Sequence, residues 1–416
     1  MIRTIWKSLA IVLTLVISII AFTALVNPYQ YLDAKGFENI NTMKFKNFSS
    51  LFTTQPYRFE RHPARNLIIG NSRAGSMFAS SHPAWGEGDA FNYFIPGGDT
   101  KTLFYALKHA SANREIQKLV ISLDFTMFNE HKGSNRMESD AATFIRQTGP
   151  PHQKWLRRLR DKLGLFLSWQ AISDSIFVLK HQSEVDHNRD NISYISDSGE
   201  WFQVQGRKRI VHRQFMTVAK THMTIIWHPK NSPRFTLSVD PGEYDSPMYY
   251  FEAILDAVYR NNIDAQIVIN PVHAYITEAM HTIGLWEDFE RWKRALVRVT
   301  ENAAQRANRP ALPLWDFASY NRITTELIAP KSSYKKKPPR YYMDGSHPNQ
   351  KAGNYVLRAL WLGRDPLEAG EKMTAENIEQ HLLNIRARRE RYKRSNPVVI
   401  EELEKIAKKT RHLREP

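Results

Sequence analysis

Two short stretches hold residues whose types and spacing suit chemistry. One is Tyr341-Tyr342-Met343-Asp344-Gly345-Ser346-His347-Pro348, which sets an acid three positions before a histidine in an expected loop. In an Asp-x-x-His turn the carboxylate accepts the imidazole Nδ1–H and leaves Nε2 pointing outward, as a general base requires. The other is Asn66-Leu67-Ile68-Ile69-Gly70-Asn71-Ser72-Arg73, which reads as an apolar strand ending at Gly70 with Ser72 just past its carboxyl end. A hydroxyl, a held imidazole and an orienting carboxylate are the parts of nucleophilic acyl chemistry. Each piece also has a plainer reading: Ser72 as the cap of the next helix, and His347 as an ordinary loop histidine.

Ser72 and His347 lie far apart in the chain, so the fold must bring them together. An open parallel sheet does this, because its strand carboxyl ends meet at one crevice. Five apolar runs suit its buried strands: Asn66 to Gly70, Ala90 to Ile95, Lys118 to Leu123, Ala265 to Asn270 and Leu312 to Phe317. Helical spacing lies between several of them, as in Thr102 to Ala112 and Pro247 to Asn261. The alternation predicts a doubly wound α/β fold with a parallel five-stranded sheet. The gap from about 125 to 245 is too long for one crossover and reads as an insertion over the site's mouth. Within it, Trp155 to Lys180 reads as one or two amphipathic helices broken near Ser168.

The 416 residues include no cysteine, which excludes disulfides and thiolate metal sites. Arg3 and Lys7 precede an apolar run from Leu9 to Val26, long enough to nearly span a bilayer core of about 30 Å. A cleaved signal peptide is the rival reading, but Ala24 has Phe22 two residues before it, a poor small-x-small site. An uncleaved transmembrane anchor is therefore expected, with the amino terminus in the cytoplasm and the body in the periplasm or outside the cell. That placement argues against nucleic acid as the partner of the +16 net charge and towards phospholipid head groups or acidic glycans. A solvated basic surface is the plainer alternative. The expected organisation is an anchor at 1–26, a stalk at 27–64, a catalytic domain at 65–365 and a charged helical tail at 366–416. The tail's Arg386, Arg388, Arg389, Arg391, Lys393 and Arg394 suit a solvated face, or contact with a membrane or partner.

Three pieces fit one site: Gly70-Asn71-Ser72 after the first strand, Pro96-Gly97-Gly98-Asp99-Thr100 after the second, and Asp344 with His347 after the fifth. In this order they resemble the SGNH (GDSL-like) hydrolase superfamily, with Gly-Asn-Ser where that family usually has Gly-Asp-Ser. Within it, the chain looks like the membrane-anchored bacterial branch tied to O-acylation of cell-surface polymers. The resemblance implies Ser72 as nucleophile, His347 as its base and Asp344 as the orienting acid. It also implies an oxyanion hole from the Ser72 and Gly98 backbone N–H groups and an Asn side chain. The family's Gly-x-Asn is replaced here by Leu123-Asp124-Phe125-Thr126-Met127-Phe128-Asn129. Asn129 is a displaced candidate, Asn71 another, and Asp124 is nearer but has the wrong chemistry for an oxyanion.

Arg73, beside the nucleophile, is a candidate for binding an anionic group, with a surface role as its alternative. His273, after the fourth strand, is a candidate pocket residue. Asp316 reads as structural. The basic run Lys335-Lys336-Lys337-Pro338-Pro339-Arg340 reads as a loop near the crevice. Gly-x-Ser-x-Gly, Walker A and His-Glu-x-x-His are all missing, and no metal, nucleotide or other cofactor is implied. The expected function is an O-acyltransferase, acetyl above all, with an acyl donor, a glycan acceptor and a multispanning membrane acyltransferase as partners. A carbohydrate or lipid esterase and a catalytically inactive glycan-binding or scaffolding subunit are the alternatives.

Overall fold

The structure, a computed structural model, describes residues 2–32, 36–38, 40–44, 50–131, 150–182, 192–204, 211–227, 235–328 and 339–411. Among the described residues, eight strands run β1 Asn66–Gly70, β2 Ala90–Phe94, β3 Lys118–Leu123, β4 Ile192–Ile195, β5 Trp201–Val204, β6 Asp264–Ile269, β7 Leu314–Asp316 and β8 Glu371–Lys372. The helices before the insertion are α1 Ile2–Val26, α2 Leu51–Arg61, α3 Ser72–Met77 and α4 Thr100–Asn113. The insertion holds α5 Pro151–Phe166, α6 Trp169–Lys180 and α7 Val211–Thr221. After it come α8 Pro247–Arg260, α9 Ala274–Thr282, α10 Trp286–Ala307, α11 Gln350–Leu362, α12 Ile378–Ser395 and α13 Pro397–Lys409.

The chain forms an α/β fold around a mostly parallel six-stranded sheet, in the order β2-β1-β3-β6-β7-β8. The five expected strands pair parallel in register, Ile68 against Asn92 on one side and Val120 on the other. All five residues of β1 are buried, which is why it carries no polar alternation. The sixth strand is a correction to the expected five: Glu371–Lys372 from the tail adds antiparallel to β7.

Two appended regions also depart from expectation. The segment 27–64 is not a free stalk, because α2 sits in the main core. Phe59 is fully buried, and Gln55 Nε2 donates to the carbonyls of Asn92 and Phe94 beside β2. The tail likewise packs back on the body through Leu382, Ile385 and Leu403. Its arginines meet carboxylates: Arg386 pairs with Glu290 and Arg389 with Glu278 of the body, and Arg388 with Glu371 of β8. With Lys393 beside Glu390, four of the six clustered basic residues are thus paired with the protein's own acids.

The break expected near Ser168 is a helix boundary, with the Ser168 hydroxyl accepting from Ala171 N–H to cap α6. The described parts of the insertion divide in two. The pair α5–α6 packs against the end of α1. The β4–β5 hairpin and α7 reach the strand carboxyl ends instead. The hairpin docks on β2, where Asn92 N–H donates to the Ser198 carbonyl at 2.8 Å. Gly199 makes that approach possible: its φ is +86°, and a Cβ there would lie 2.2 Å from the Asn92 oxygen.

Candidate active site

The turn that carries Ser72 is built by packing at the end of β1. A Cβ on Gly70 would lie 2.5 Å from Ala74 Cβ and 2.8 Å from Ser122 Cβ, so only glycine lets the chain turn so closely over β3. Asn71 then caps α3, its Oδ1 accepting from Arg73 N–H at 2.9 Å. Ser72 becomes the first residue of α3, part-exposed, with a backbone N–H that no intrahelical carbonyl can reach.

The other half of the site is a closed loop at 341–349. Met343 N–H donates to the His347 carbonyl, and Tyr342 bridges Pro348. Asp344 Oδ1 accepts from both Ser346 and His347 N–H, an Asx-turn that fixes the carboxylate. His347 Nδ1 meets Asp344 Oδ2 at 2.9 Å, and His347 Nε2 lies 3.0 Å from Ser72 Oγ. The sheet thus brings together three residues that the spacing singled out, across 275 positions. Burial alone would raise the Asp344 carboxyl. Its attraction and hydrogen bonds to His347, with the two backbone donors, outweigh burial and hold it down to about 2. The acid is therefore ionised throughout the range in which a histidine base works. Trp201 from the hairpin packs edge-on against the His347 ring, 4.7 Å between centroids. The His347 side chain keeps 20% exposure, so the relay is accessible from one side.

Beneath the relay lies a buried network that sequence reasoning missed. Asp124, just after β3, accepts from Asn71 Nδ2 at 2.7 Å and from Asn270 Nδ2 at 3.1 Å, and forms an ion pair with Arg73. Arg73 Nε also donates to the Ser346 carbonyl at 2.8 Å. One guanidinium therefore ties the Ser72 turn, the β3 end and the His347 loop together. The signal was available: Asn71, Asp124 and Asn270 each follow directly on the strands β1, β3 and β6.

Several expected site residues are placed elsewhere. Arg73 is buried and bound on all sides by Asp124 and Ser346, so it holds the site rather than an anionic substrate. His273 is 1% exposed and caps α9; Nδ1 accepts from Tyr275 N–H and Nε2 donates to the Glu326 carbonyl. Both ring nitrogens are satisfied, and the cavity it borders, with His212, Tyr275 and Glu402, does not include the relay residues. Gly98 N–H donates to the Ile95 carbonyl at 3.0 Å in the turn after β2, which engages the expected oxyanion donor. Asn129 is 2% exposed, with its Oδ1 held by the His131 and Thr236 N–H groups in the insertion. Its Nδ2 is buried and has no hydrogen-bond partner among the described residues. Asn71 is excluded as a substitute donor, since its amide is engaged by Asp124 and its oxygen caps α3. Of the expected donors, Ser72 N–H and Asn129 Nδ2 remain, the latter in a buried side chain. Asp316 is structural as read: it is fully buried between Lys293 and His381. Lys335, Lys336 and Lys337 lie outside the described residues.

Past α7 the chain makes a π-helical turn, His222–Ile226, with Trp227 N–H donating to the His222 carbonyl. His222 lines a small cavity of about 30 Å³ with Arg73 and Asp124. Burial, then the nearby Arg73 charge, depresses its imidazole from 6.5 to about 3. A histidine depressed in the folded state binds protons only when unfolded between those values, so stability falls as pH drops below about 6.5. At about 1.4 kcal/mol per pH unit, His222 costs the fold roughly 2 kcal/mol between pH 7.5 and 5. His381, raised by Asp316 and Glu371 despite burial, has the opposite sign. The expected result is therefore a difference between proteins: His222→Gln should lose less stability between pH 7.5 and 5 than wild type, by that amount. Urea unfolding at the two pH values measures it, and equal losses would refute a buried neutral His222.

No protein-family model matches the chain, and no curated protein matches it either.

Proposed function

We propose that this protein is a membrane-anchored serine acyl-ester enzyme of SGNH type, acting outside the cytoplasm as an O-acyltransferase on a glycan. The observation that carries the reading is the relay in which Ser72 Oγ, His347 and Asp344 are joined by hydrogen bonds of 2.9 and 3.0 Å. The order β2-β1-β3-β6-β7 of the parallel strands supports a doubly wound topology, with the relay at strand carboxyl ends. The helix Ile2–Val26 is long and apolar enough to cross a membrane, in keeping with an anchor.

In the first half-reaction, His347 Nε2 takes the Ser72 proton as Oγ bonds to the acyl carbonyl carbon. The leaving oxygen then departs with that proton, leaving an acyl-enzyme. In the second half, His347 deprotonates an acceptor hydroxyl, which attacks the acyl carbon and frees Ser72. A sugar hydroxyl gives transfer and water gives hydrolysis. A multispanning membrane acyltransferase that delivers acyl groups would fit as donor-side partner.

One observation favours the inactive glycan-binding alternative: Gly98 N–H is engaged within the fold and the Asn129 side chain is buried, so the expected oxyanion donors are not all available to a substrate. Turnover separates the readings. With a chromogenic acetyl ester and a soluble oligosaccharide, the transferase reading expects O-acetyl oligosaccharide by mass spectrometry at the expense of free acetate. Acetate alone would make it an esterase, and neither product would leave the binding alternative.

A further inference from the structure

The strongest unexplained surface lies on α5 and α6, away from the relay. Trp155, Leu156, Leu159 and Leu163 follow the spacing of one helical face, and all four are exposed, Trp155 by 63%. They lie opposite the face that α5 turns inward, where Asp161 meets Tyr57 Oη. Arg160 and Lys162 flank the apolar stripe on its two sides. At the start of α6, Trp169 is 81% exposed. A soluble face would not carry two tryptophans and three leucines in solvent; such a composition marks an interaction surface.

The position of this face identifies its occupant. Leu165, Phe166 and Ala171 form a second small core with Tyr29, Tyr31 and Tyr57, against which Ile20 and Ala24 of α1 pack. Thr23 Oγ1 donates to the Phe166 carbonyl at 2.7 Å. These α1 residues belong to its last two turns, whereas from Ile2 to Leu15 the helix is exposed throughout. If α1 crosses the bilayer, its last turns lie at the interface, and α5–α6 are fastened there. An amphipathic helix with tryptophan and leucine on one face and lysine or arginine beside it is suited to lie in that plane. We infer that α5 and the start of α6 rest in the outer surface of the same bilayer, as a second membrane contact that fixes how the body sits over the lipid. The basic flanks fit anionic phospholipid head groups. This inference rests on the anchor reading given above.

The absence of cysteine makes the test direct, because each introduced thiol is unique. The full chain carrying Leu159→Cys or Leu163→Cys is spin-labelled and reconstituted in nanodiscs of phosphatidylethanolamine and phosphatidylglycerol. Collision with oxygen, which partitions into lipid, is compared with collision with an aqueous nickel chelate. Val12→Cys on α1 is the lipid reference. Leu383→Cys on α12, at the opposite edge of the sheet from α2 and β2, is the water reference; Leu383 is 53% exposed. The expected oxygen-to-nickel ratio at 159 and 163 is several-fold above that at 383, at a depth of about 5–10 Å below the head groups. If 12 reports lipid while 159 and 163 match 383, the inference fails and the anchor stands. Labels at 159 and 163 shielded from both reagents would mean a protein contact and also overturn it. An aqueous signal at 12 would overturn the anchor reading and this inference together.

Discussion

Ser72→Ala is expected to abolish acyl-enzyme formation, lowering turnover by roughly 10⁶-fold, the scale seen when a triad nucleophile is removed. The same substitution should leave the fold nearly as stable, because Ser72 is part-exposed and loses one side-chain hydrogen bond, worth about 1 kcal/mol. His347→Ala should cost a similar factor, since nothing else in the relay can take the serine proton. Asp344→Asn should cost less, roughly 10⁴-fold, because the loop still holds the ring but in the wrong tautomer. Fluorophosphonate labelling read beside thermal unfolding separates the cases. A Ser72→Ala protein that still labels would remove Ser72 from the chemistry. An Asp344→Asn loss larger than that of His347→Ala would reverse the roles assigned to the pair.

The residues of this relay were legible because two short-range signals were strong. An apolar run ending in Gly70-Asn71-Ser72 marks a strand end, and Asp344-x-x-His347 is a local turn whose geometry hardly depends on the rest of the chain. The strand positions were legible for the same reason: buried parallel strands are continuous apolar runs, and β1 and β3 follow that pattern. What could not be read depended on partners distant in sequence. The helix α2 looked like a stalk because its buried face includes Thr54, Gln55 and Arg58, polar residues whose partners lie in other segments. The tail looked solvated because Glu290 and Glu278 lie 96 and 111 positions from the arginines they hold. His273 drew notice as a histidine past a strand, yet that position is also a helix cap, and only the fold decides between the two. The Gly98 N–H shows a further limit. A glycine in the right place still engages its donor if the turn closes on Ile95.

The network under the site yields the second large effect. Asp124→Ala should destabilise the protein by about 3–5 kcal/mol, the usual consequence of leaving one charge of a buried pair uncompensated. The side chains of Arg73 and Asp124 are 7% and 1% exposed, so water cannot take the carboxylate's place. Asn71 and Asn270 would also lose an acceptor, which adds to the cost. The double variant Arg73→Met, Asp124→Leu removes both charges and should recover much of that stability, because a packed apolar pair avoids the desolvation of two ions. It should not recover activity. Arg73 also holds the Ser346 carbonyl, so without it the His347 loop is no longer tied to the turn that carries Ser72. A misplaced base lowers kcat more than it raises KM. Chemical unfolding and steady-state kinetics on the single and double variants complete the cycle. A fully stable Asp124→Ala protein would show that the ion pair does not hold the site. A double variant restored in both stability and kcat would show that Arg73 and Asp124 only fill space beneath the relay.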